Sequence, residues 1–284
     1  MNGIREILQR DIPHVSATLE LDASTARIEV QSLLQHVLQV PRAYLLAHPE
    51  QNLDIQQQTA YDVFLKRRLQ GEPIAYLLGE REFFGLNFKV SPATLIPRSD
   101  TELLVELALQ RLPQGKACRV LDLGTGSGAI ALSIAHTRPD VAVTAFDASE
   151  AALEVARENA SRQGVSNISF LRSDWFSSLD GQCFDLIVSN PPYIVVGDAH
   201  LSQGDVRFEP LSALASGADG LDDIRSIVSR AEAYLEHEAW LLLEHGYDQA
   251  ARVRDIFQKN RFGEIYSAKD IAGIDRVSGG VKLR

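Results

Sequence analysis

A glycine-rich segment contains the first residues whose type and spacing suit ligand binding. An apolar pattern typical of a strand ends at Leu123, and a helical pattern starts at Ala129. Between them lie three glycines that alternate with two hydroxyl residues: Gly124, Thr125, Gly126, Ser127 and Gly128. Glycines let the backbone turn sharply and approach a ligand closely. The segment therefore predicts a cofactor-binding loop, although Gly124-x-Gly126-x-x-Ala129 also satisfies the dinucleotide fingerprint.

Three acidic residues and a tryptophan accompany the predicted strands around this loop. Asp122 has no place in the dinucleotide fingerprint, and its carboxylate can orient the loop and hold an ammonium group. Asp147 ends the next strand, where an acid can accept both hydroxyls of a ribose, or instead cap the following helix as Ser149 could. Asp174 and Trp175 follow a third strand and can bind an adenine amino group and the face of the base. The alternative for this last pair is a loop acid and a packed aromatic residue.

The most specific segment is Asn190-Pro191-Pro192-Tyr193, which directly follows the predicted strand Phe184–Ser189. Proline has a fixed φ and no N–H, so two in succession hold the chain extended and leave carbonyl groups free to accept. The Asn190 side-chain oxygen and the Pro191 carbonyl can then accept both N–H groups of a planar –NH2, with Tyr193 beside them. A simple proline-rich turn does not explain the flanking asparagine and tyrosine.

Together these segments favour methyl transfer over hydride transfer. An amide or exocyclic amine is a poor nucleophile because its lone pair is delocalised. Two acceptors that hold its N–H groups would localise this lone pair, and positioning can contribute about 7–11 kcal/mol. No general base is evident, so we expect the proton to leave to water. The seven histidines and two cysteines show no metal-ligand spacing, so no metal is predicted.

The elements that position these residues alternate along the chain from about residue 100. In chain order the predicted elements are helix 101–112, strand 119–123, helix 129–136, strand 141–146, helix 150–162, strand 168–171, strand 184–189, helix 221–235 and strand 240–244. Apolar strands separated by helices are typical of a parallel sheet covered on both faces. We therefore predict an α/β fold with a doubly wound, mostly parallel sheet. The stretch 194–220 lacks periodicity, which predicts a lid or binding element.

The chain before this sheet has a different pattern. Residues 1–72 predict a small all-helical domain, because the apolar residues within 30–38 recur at helical spacing. Residues 73–98 contain two short strands around Gly85 and predict a β-hairpin connector. Residues 99–284 then form the predicted ligand-binding domain.

The overall composition excludes several classes of protein. The 284 residues include 28 Lys and Arg against 38 Asp and Glu, so the net charge is −10. An acidic chain is poorly suited to binding the phosphate groups of a nucleic-acid backbone, so no direct nucleic-acid partner is predicted. No apolar stretch approaches the ~18 residues of a membrane span, and the N-terminus lacks the apolar core of a signal peptide. We therefore expect a cytoplasmic protein without a membrane partner.

The glycine segment followed by Asn190–Tyr193 resembles the class I S-adenosylmethionine-dependent methyltransferases that methylate amino groups. Further segments resemble the PrmC/HemK family of peptide chain release factor N5-glutamine methyltransferases: Arg81-Glu-Phe-Phe-Gly85, Leu95-Ile-Pro-Arg-Ser-Asp-Thr-Glu102, Asp205-Val-Arg-Phe-Glu-Pro210 and Leu241-Leu-Leu-Glu-His-Gly246. The likeness covers nearly the whole chain. One departure is Ser99, where the family usually has proline.

The resemblance implies the class I methyltransferase fold, S-adenosyl-L-methionine as cofactor, and class 1 release factors as protein substrate. Asn190, Pro191 and Tyr193 would be catalytic, and Pro192 would complete the substrate-binding segment. The reaction would methylate N5 of the glutamine in the Gly-Gly-Gln motif. Residues 1–72 would then form a substrate-recognition domain.

Three other classes of protein remain as alternatives to this assignment. An adenine-N6 or cytosine-N4 nucleic-acid methyltransferase could use the same Asn-Pro-Pro-Tyr segment, but it must also extract a base from the stack. A nicotinamide oxidoreductase would leave Asn190–Tyr193 unexplained. A partner-binding protein without catalysis would leave all of these sites unexplained.

Overall fold

The structure is a computed structural model that describes residues 3–179 and 181–283. These ranges contain ten α-helices and nine β-strands. Within them, no helix is both long enough and apolar enough to cross a membrane.

The described residues pack into two compact units. The helical unit comprises the chain up to Gly79 together with Ser202–Phe208, and the sheet unit comprises Glu80–Leu201 and the chain from Glu209 onward. Residues 73–79 thus pack with the helices, whereas the hairpin packs with the sheet. The assignment of residues 1–72 to substrate recognition, 73–98 to a connector and 99–284 to catalysis remains a prediction.

The helical unit contains five α-helices. They are α1 (Ile4–Leu19), α2 (Ala23–Leu38), α3 (Arg42–Ala47), α4 (Ile55–Leu69) and α5 (Ile74–Leu78). The predicted stripe on α2 is buried at Val30, Leu33 and Leu34, while its last residues are half-buried. Asp22 caps helix α2: its carboxylate accepts the N–H groups of Ser24 and Thr25 and satisfies donors that a helix leaves free.

A buried ion network joins segment Ser202–Phe208 to the helices of this unit. The Arg68 guanidinium contacts the Glu29 carboxylate at 2.7 Å and the Asp205 carboxylate at 3.0 Å. Arg207 donates to the Gln70 carbonyl at 2.8 Å. A buried charge needs such partners, because its removal from water is otherwise unfavourable. The stretch 194–220 is therefore divided between the two units.

The sheet unit is built on seven strands in the order β5-β4-β3-β6-β7-β9-β8. Strands β3 to β7 pair in parallel, and β9 pairs antiparallel with β7 and β8. The elements of this unit are β1 (Glu80–Phe83), β2 (Leu86–Lys89), α6 (Glu102–Arg111), β3 (Arg119–Leu123), α7 (Ala129–Thr137), β4 (Ala142–Asp147), α8 (Glu150–Gln163), β5 (Ile168–Arg172), β6 (Phe184–Ser189), α9 (Asp222–Ala231), β7 (Leu235–Glu244), α10 (Ala250–Lys259), β8 (Phe262–Lys269) and β9 (Asp275–Lys282). The predicted α/β class and the predicted hairpin are confirmed.

The main difference from the sequence prediction lies near the C-terminus. Helix α10 and strand β8 carry no sequence prediction, and β7 begins at Leu235, five residues before its predicted start. Strand β8 lies at the sheet edge, and most of its residues are half-exposed. A strand of this kind lacks the uninterrupted apolar run that marks a buried strand.

The topology brings the candidate residues to one edge of the sheet. The chain order reverses between β3 and β6, so the two strands pair at the switch point of the sheet, with Leu123 opposite Ser189. Ligands of open α/β sheets bind at the carboxyl ends of strands beside this point. The glycine loop, Asp147 and Asn190 all follow or end strands at this edge.

Candidate active site

A cavity of about 490 Å³ opens at this edge, entirely within the sheet unit. It is lined by most of the predicted site residues: Gly124, Thr125, Gly126, Ser127, Asp147, Asp174, Trp175, Asn190 and Pro192. Four predicted residues lie outside the lining: Asp122, Gly128, Pro191 and Tyr193. Pro210–Ala213, within the predicted binding element 194–220, also lines the cavity, and the segment Pro92–Arg98 supplies further lining residues that were not assigned to the site.

The backbone N–H groups of the glycine loop hold it against strand β4. The N–H groups of Gly124 and Thr125 both donate to the Phe146 carbonyl, at 2.9 and 2.7 Å. Gly126 has a φ of 56° and Gly128 a φ of 85°, conformations that favour glycine. A side chain at Gly128 would also meet the Leu132 side chain at 2.9 Å. The N–H groups of Gly124, Thr125, Gly126 and Gly128 are therefore bonded within the protein and are not free to bind a phosphate.

Asp122 lies beneath this loop and is fully buried. Its Oδ2 accepts the Thr125 hydroxyl at 2.7 Å, so the carboxylate orients the loop. Burial raises the pKa of Asp122 to about 7, and hydrogen bonds from the Thr125 side chain and the Ala131 backbone oppose this rise. Ala131 belongs to the first turn of α7, where an anionic ligand would otherwise bind.

Asp147 faces the cavity at the end of β4. Its carboxylate accepts the N–H of Gly126 at 2.9 Å and the N–H of Ser149 at 2.8 Å. Burial raises the pKa of Asp147, and these backbone donors oppose the rise. The cap of α8 is the Ser149 hydroxyl, which accepts from Ala152. Helix capping therefore does not account for Asp147, whose oxygens retain lone pairs for a ligand.

Trp175 and Asp174 line the cavity beyond β5. The Trp175 ring nitrogen donates to Asp223 Oδ1 at 3.2 Å, and this acid also lines the cavity. Trp175 has a φ of 49°, in the left-handed region that residues other than glycine rarely adopt. A side chain on Gly124 would contact its ring at 3.5 Å, so the indole lies directly against the glycine loop.

The opposite side of the cavity is formed by Asn190, which follows β6. Its Nδ2 donates to the Thr101 hydroxyl at 3.3 Å, which leaves Oδ1 to accept from another group. The Tyr193 hydroxyl donates to Glu244 Oε1 at 3.4 Å, and the Tyr193 carbonyl accepts from Gln249 at 2.9 Å. Three side chains from two distant parts of the chain, Thr101 and the pair Glu244 and Gln249, thus hold this segment.

Two family models match the chain: the methyltransferase small domain at residues 100–204 and the PrmC N-terminal domain at residues 14–79. A release factor glutamine methyltransferase of Salmonella typhimurium is 50% identical over 260 residues, which cover 91% of this chain and 93% of that protein. One from Vibrio cholerae is 50% identical over 271 residues, which cover 93% and 94%. The chain belongs to the release factor glutamine methyltransferase family.

Family membership confirms the resemblance found in the sequence. A solved structure, a methyltransferase from Pyrococcus furiosus, matches with a TM-score of 0.54 at 20% identity and covers 77% of this chain and 98% of that one. At that identity the likeness supports the fold alone. The class I methyltransferase fold is thus confirmed by the strand order of the sheet unit and by the solved relative.

Four residues that sequence reasoning did not assign to the site contact its predicted residues: Thr101, Asp223, Glu244 and Gln249. Glu244 had one usable signal, because it is an acid at the carboxyl end of an apolar strand beside Asn190. Thr101 also had one, because it lies in the segment Leu95–Glu102 that carries the family resemblance, whereas Asp223 and Gln249 had none and meet their partners from more than 45 residues away. His245 is a buried packing residue whose ring contacts the Ser278 hydroxyl at 2.8 Å, and burial lowers its pKa.

Proposed function

We propose that this methyltransferase transfers a methyl group from S-adenosyl-L-methionine to the side-chain amide nitrogen (N5) of the glutamine in the Gly-Gly-Gln motif of peptide chain release factors. The family supplies the reaction and the protein substrate. The observation that carries the proposal is Asn190, whose amide is held at the cavity by Thr101 with Oδ1 left as an acceptor.

The lining residues suit this cofactor. Asp147 and Asp174 offer carboxylates to hydroxyl and amino groups of a nucleoside, and Trp175 offers a flat face to its base. The cationic lining residue, Arg98, already pairs with Glu209, so the cavity favours a cationic ligand over a polyphosphate. When bound, S-adenosyl-L-methionine supplies an electrophilic methyl group on a positively charged sulfur. Gly124–Gly128 and Asp122 shape the loop beside it.

The chain itself orients the acceptor amide. Asn190 Oδ1 and the Pro191 carbonyl accept its two N–H groups and thereby concentrate the lone pair on nitrogen. Pro192 lines this subsite, and Tyr193 supports the segment through its hydrogen bond to Glu244. The methylated nitrogen releases its extra proton to water.

Residues 1–72 are proposed to recognise the protein substrate, because every residue assigned to chemistry lies in the sheet unit. Helix α4 exposes apolar side chains, with Ile55 at 78% and Val63 at 53% of their maximum exposure. Solvent-exposed apolar surface of this kind is suited to a protein partner. We also propose that the protein acts in the cytoplasm, where release factors meet ribosomes.

Methyl transfer from radiolabelled S-adenosyl-L-methionine tests the proposed function. Purified protein is incubated with a class 1 release factor, with the same factor carrying alanine in place of the motif glutamine, and with DNA or RNA duplexes. We expect label only on the intact motif. Equal label on the alanine variant would contradict the glutamine assignment, and label on nucleic acid would favour the base-methylating alternative.

A further inference from the structure

A buried carboxyl group lies beside the acceptor subsite. Glu244 ends β7, which pairs in parallel with β6 so that Leu243 lies opposite Ser189. The next residues along the two strands are Glu244 and Asn190, and Glu244 is only 2% exposed. Neither the proposed chemistry nor cofactor binding uses this carboxyl group. Its burial in ionised form is unfavourable unless it is matched by donors.

Glu244 lies beside both ends of the Asn-Pro-Pro-Tyr segment. Tyr193, at one end, donates to Glu244 Oε1 at 3.4 Å. Asn190, at the other end, donates from Nδ2 to the Thr101 hydroxyl oxygen at 3.3 Å. The Thr101 side chain in turn acts on the Glu244 carboxyl group as a donor that lowers its pKa. One carboxyl group is thus placed to act on both ends of the segment that the proposed reaction needs.

The direction of these hydrogen bonds follows from the charge on Glu244. An ionised carboxylate only accepts, so it takes the single proton of the Thr101 hydroxyl. The Thr101 oxygen can then only accept from Asn190, which must present its –NH2 to Thr101 and its oxygen elsewhere. A protonated Glu244 could instead donate to Thr101, whose hydroxyl would be free to donate to Asn190 Oδ1. The Asn190 amide could then rotate so that its oxygen and nitrogen exchange places, and the acceptor subsite would lose Oδ1.

We propose that Glu244, acting through the Thr101 hydroxyl, holds the Asn190 amide in the orientation that presents Oδ1 to the glutamine amide of the substrate. Glu244 and Thr101 are therefore positioning residues. The inference rests on the proposed function, because it concerns how the substrate amide is oriented in that reaction. It also explains why an acid occupies a buried position that an apolar residue could fill.

The charged groups around Glu244 set the pH range in which the orientation holds. Burial raises the pKa of Glu244 to about 7, and Asp100 adds to the rise. Hydrogen bonds from Thr101 and Tyr193 and the charge of Arg276 oppose it. Arg276 is itself paired with Asp100 at 3.1 Å and with Asp270 at 3.0 Å. We expect kcat to fall as the pH drops through about 7, because protonation of Glu244 releases the amide.

Substitutions at Thr101 test the hydroxyl link. Thr101→Val keeps the shape and removes the hydroxyl group, whereas Thr101→Ser keeps the hydroxyl group. With intact release factor and saturating cofactor, we expect Thr101→Val to lower kcat about tenfold or more, with a change of less than about threefold in KM for the cofactor. Thr101→Ser should restore most of the rate. Thr144→Val, at a half-buried threonine of β4 away from the cavity, is the matched control.

Glu244→Gln tests the role of the charge, because glutamine has nearly the same shape. We expect its kcat to be lower than that of the wild type above pH 7 and to lose the acidic fall of the pH profile. Glu236→Gln, on the same strand and partly exposed, should keep the wild-type profile. Thermal unfolding of each variant shows whether it is folded before its rate is compared.

Two results would overturn the inference: a wild-type kcat in Thr101→Val, or an unchanged pH profile in Glu244→Gln. Failure of the proposed function would look different, since the wild-type protein would then not label the release factor at any pH. The wild-type assay is therefore done first, and the variants are compared with it as ratios.

Discussion

The two sides of the cavity are held in different ways. On the proposed cofactor side, the glycine loop is fixed by backbone hydrogen bonds to β4, such as those from Gly124 and Thr125 to the Phe146 carbonyl at 2.9 and 2.7 Å. On the proposed acceptor side, Asn190 and Tyr193 are fixed by side chains from other parts of the chain: Thr101, Glu244 and Gln249. A backbone-held loop can be recognised from a short sequence motif. A side-chain network can be recognised only once the chain is folded.

Substitution of Asn190 should disrupt only the acceptor side of the cavity, and its effect on the rate of methyl transfer should be the largest of those predicted. We expect Asn190→Ala to lower the single-turnover rate of methyl transfer by more than a hundredfold. The substrate glutamine amide loses the oxygen that accepts its N–H and is no longer oriented toward the methyl group. Cofactor affinity, measured by calorimetry on the same sample, should change far less. A variant that keeps more than about a tenth of the rate, a loss under ~1.4 kcal/mol, would contradict the positioning role.

Substitution of Asp147 should break the cofactor side instead. Asp147→Ala removes acceptors for the ribose and for the Gly126 N–H, and each charge-assisted bond contributes about 1.5–3 kcal/mol. We expect cofactor affinity measured by calorimetry to fall at least tenfold. Asp140→Ala, at an exposed acid before β4, is the control and should bind normally. Unchanged affinity in Asp147→Ala would remove Asp147 from the site.

Substitutions on α4 test whether a surface away from the cavity helps to bind the protein substrate. The exposed pair Ile55→Glu and Val63→Glu should lower kcat/KM for intact release factor about tenfold, because remote contacts contribute to binding and orientation. A short Gly-Gly-Gln peptide should be methylated at the wild-type rate. Ile271→Glu, at an exposed residue of the sheet unit, is the control. Equal losses with both substrates would exclude a recognition role for this surface.

The smallest effect concerns stability, since each side of the cavity contains one buried carboxyl group. Burial raises the pKa values of Asp122 and Glu244 to about 7, so between pH 4 and 7 the folded state binds more protons than the unfolded state. The contribution of these two groups to the free energy of unfolding should therefore fall as the pH rises through this range. Denaturant titrations at pH 5 and pH 7 measure the change. Glu244→Gln should reduce it, and an equal change in that variant would contradict the assignment to Glu244.

Much of the fold could be predicted from the sequence because its central strands are continuous apolar runs. Strands β3 and β6 begin and end where the pattern predicts, at Arg119–Leu123 and Phe184–Ser189. Helix α10 and strand β8 could not be predicted in the same way. Strand β8 is half-exposed at the sheet edge, so its residues need no apolar pattern.

The sequence by itself determined the family and indicated the candidate site, because glycine, proline and asparagine act through local backbone geometry and through groups that they carry wherever they lie. It therefore indicated the loop at Gly124–Gly128 and the proposed acceptor segment at Asn190. Only the tertiary structure decided which way the Asn190 amide faces and which groups hold it. Thr101 contacts that amide from 89 residues before it, and Glu244 lies beside Asn190 at the end of the neighbouring strand β7. Contacts of this kind depend on strand order and register, which no short segment of sequence encodes.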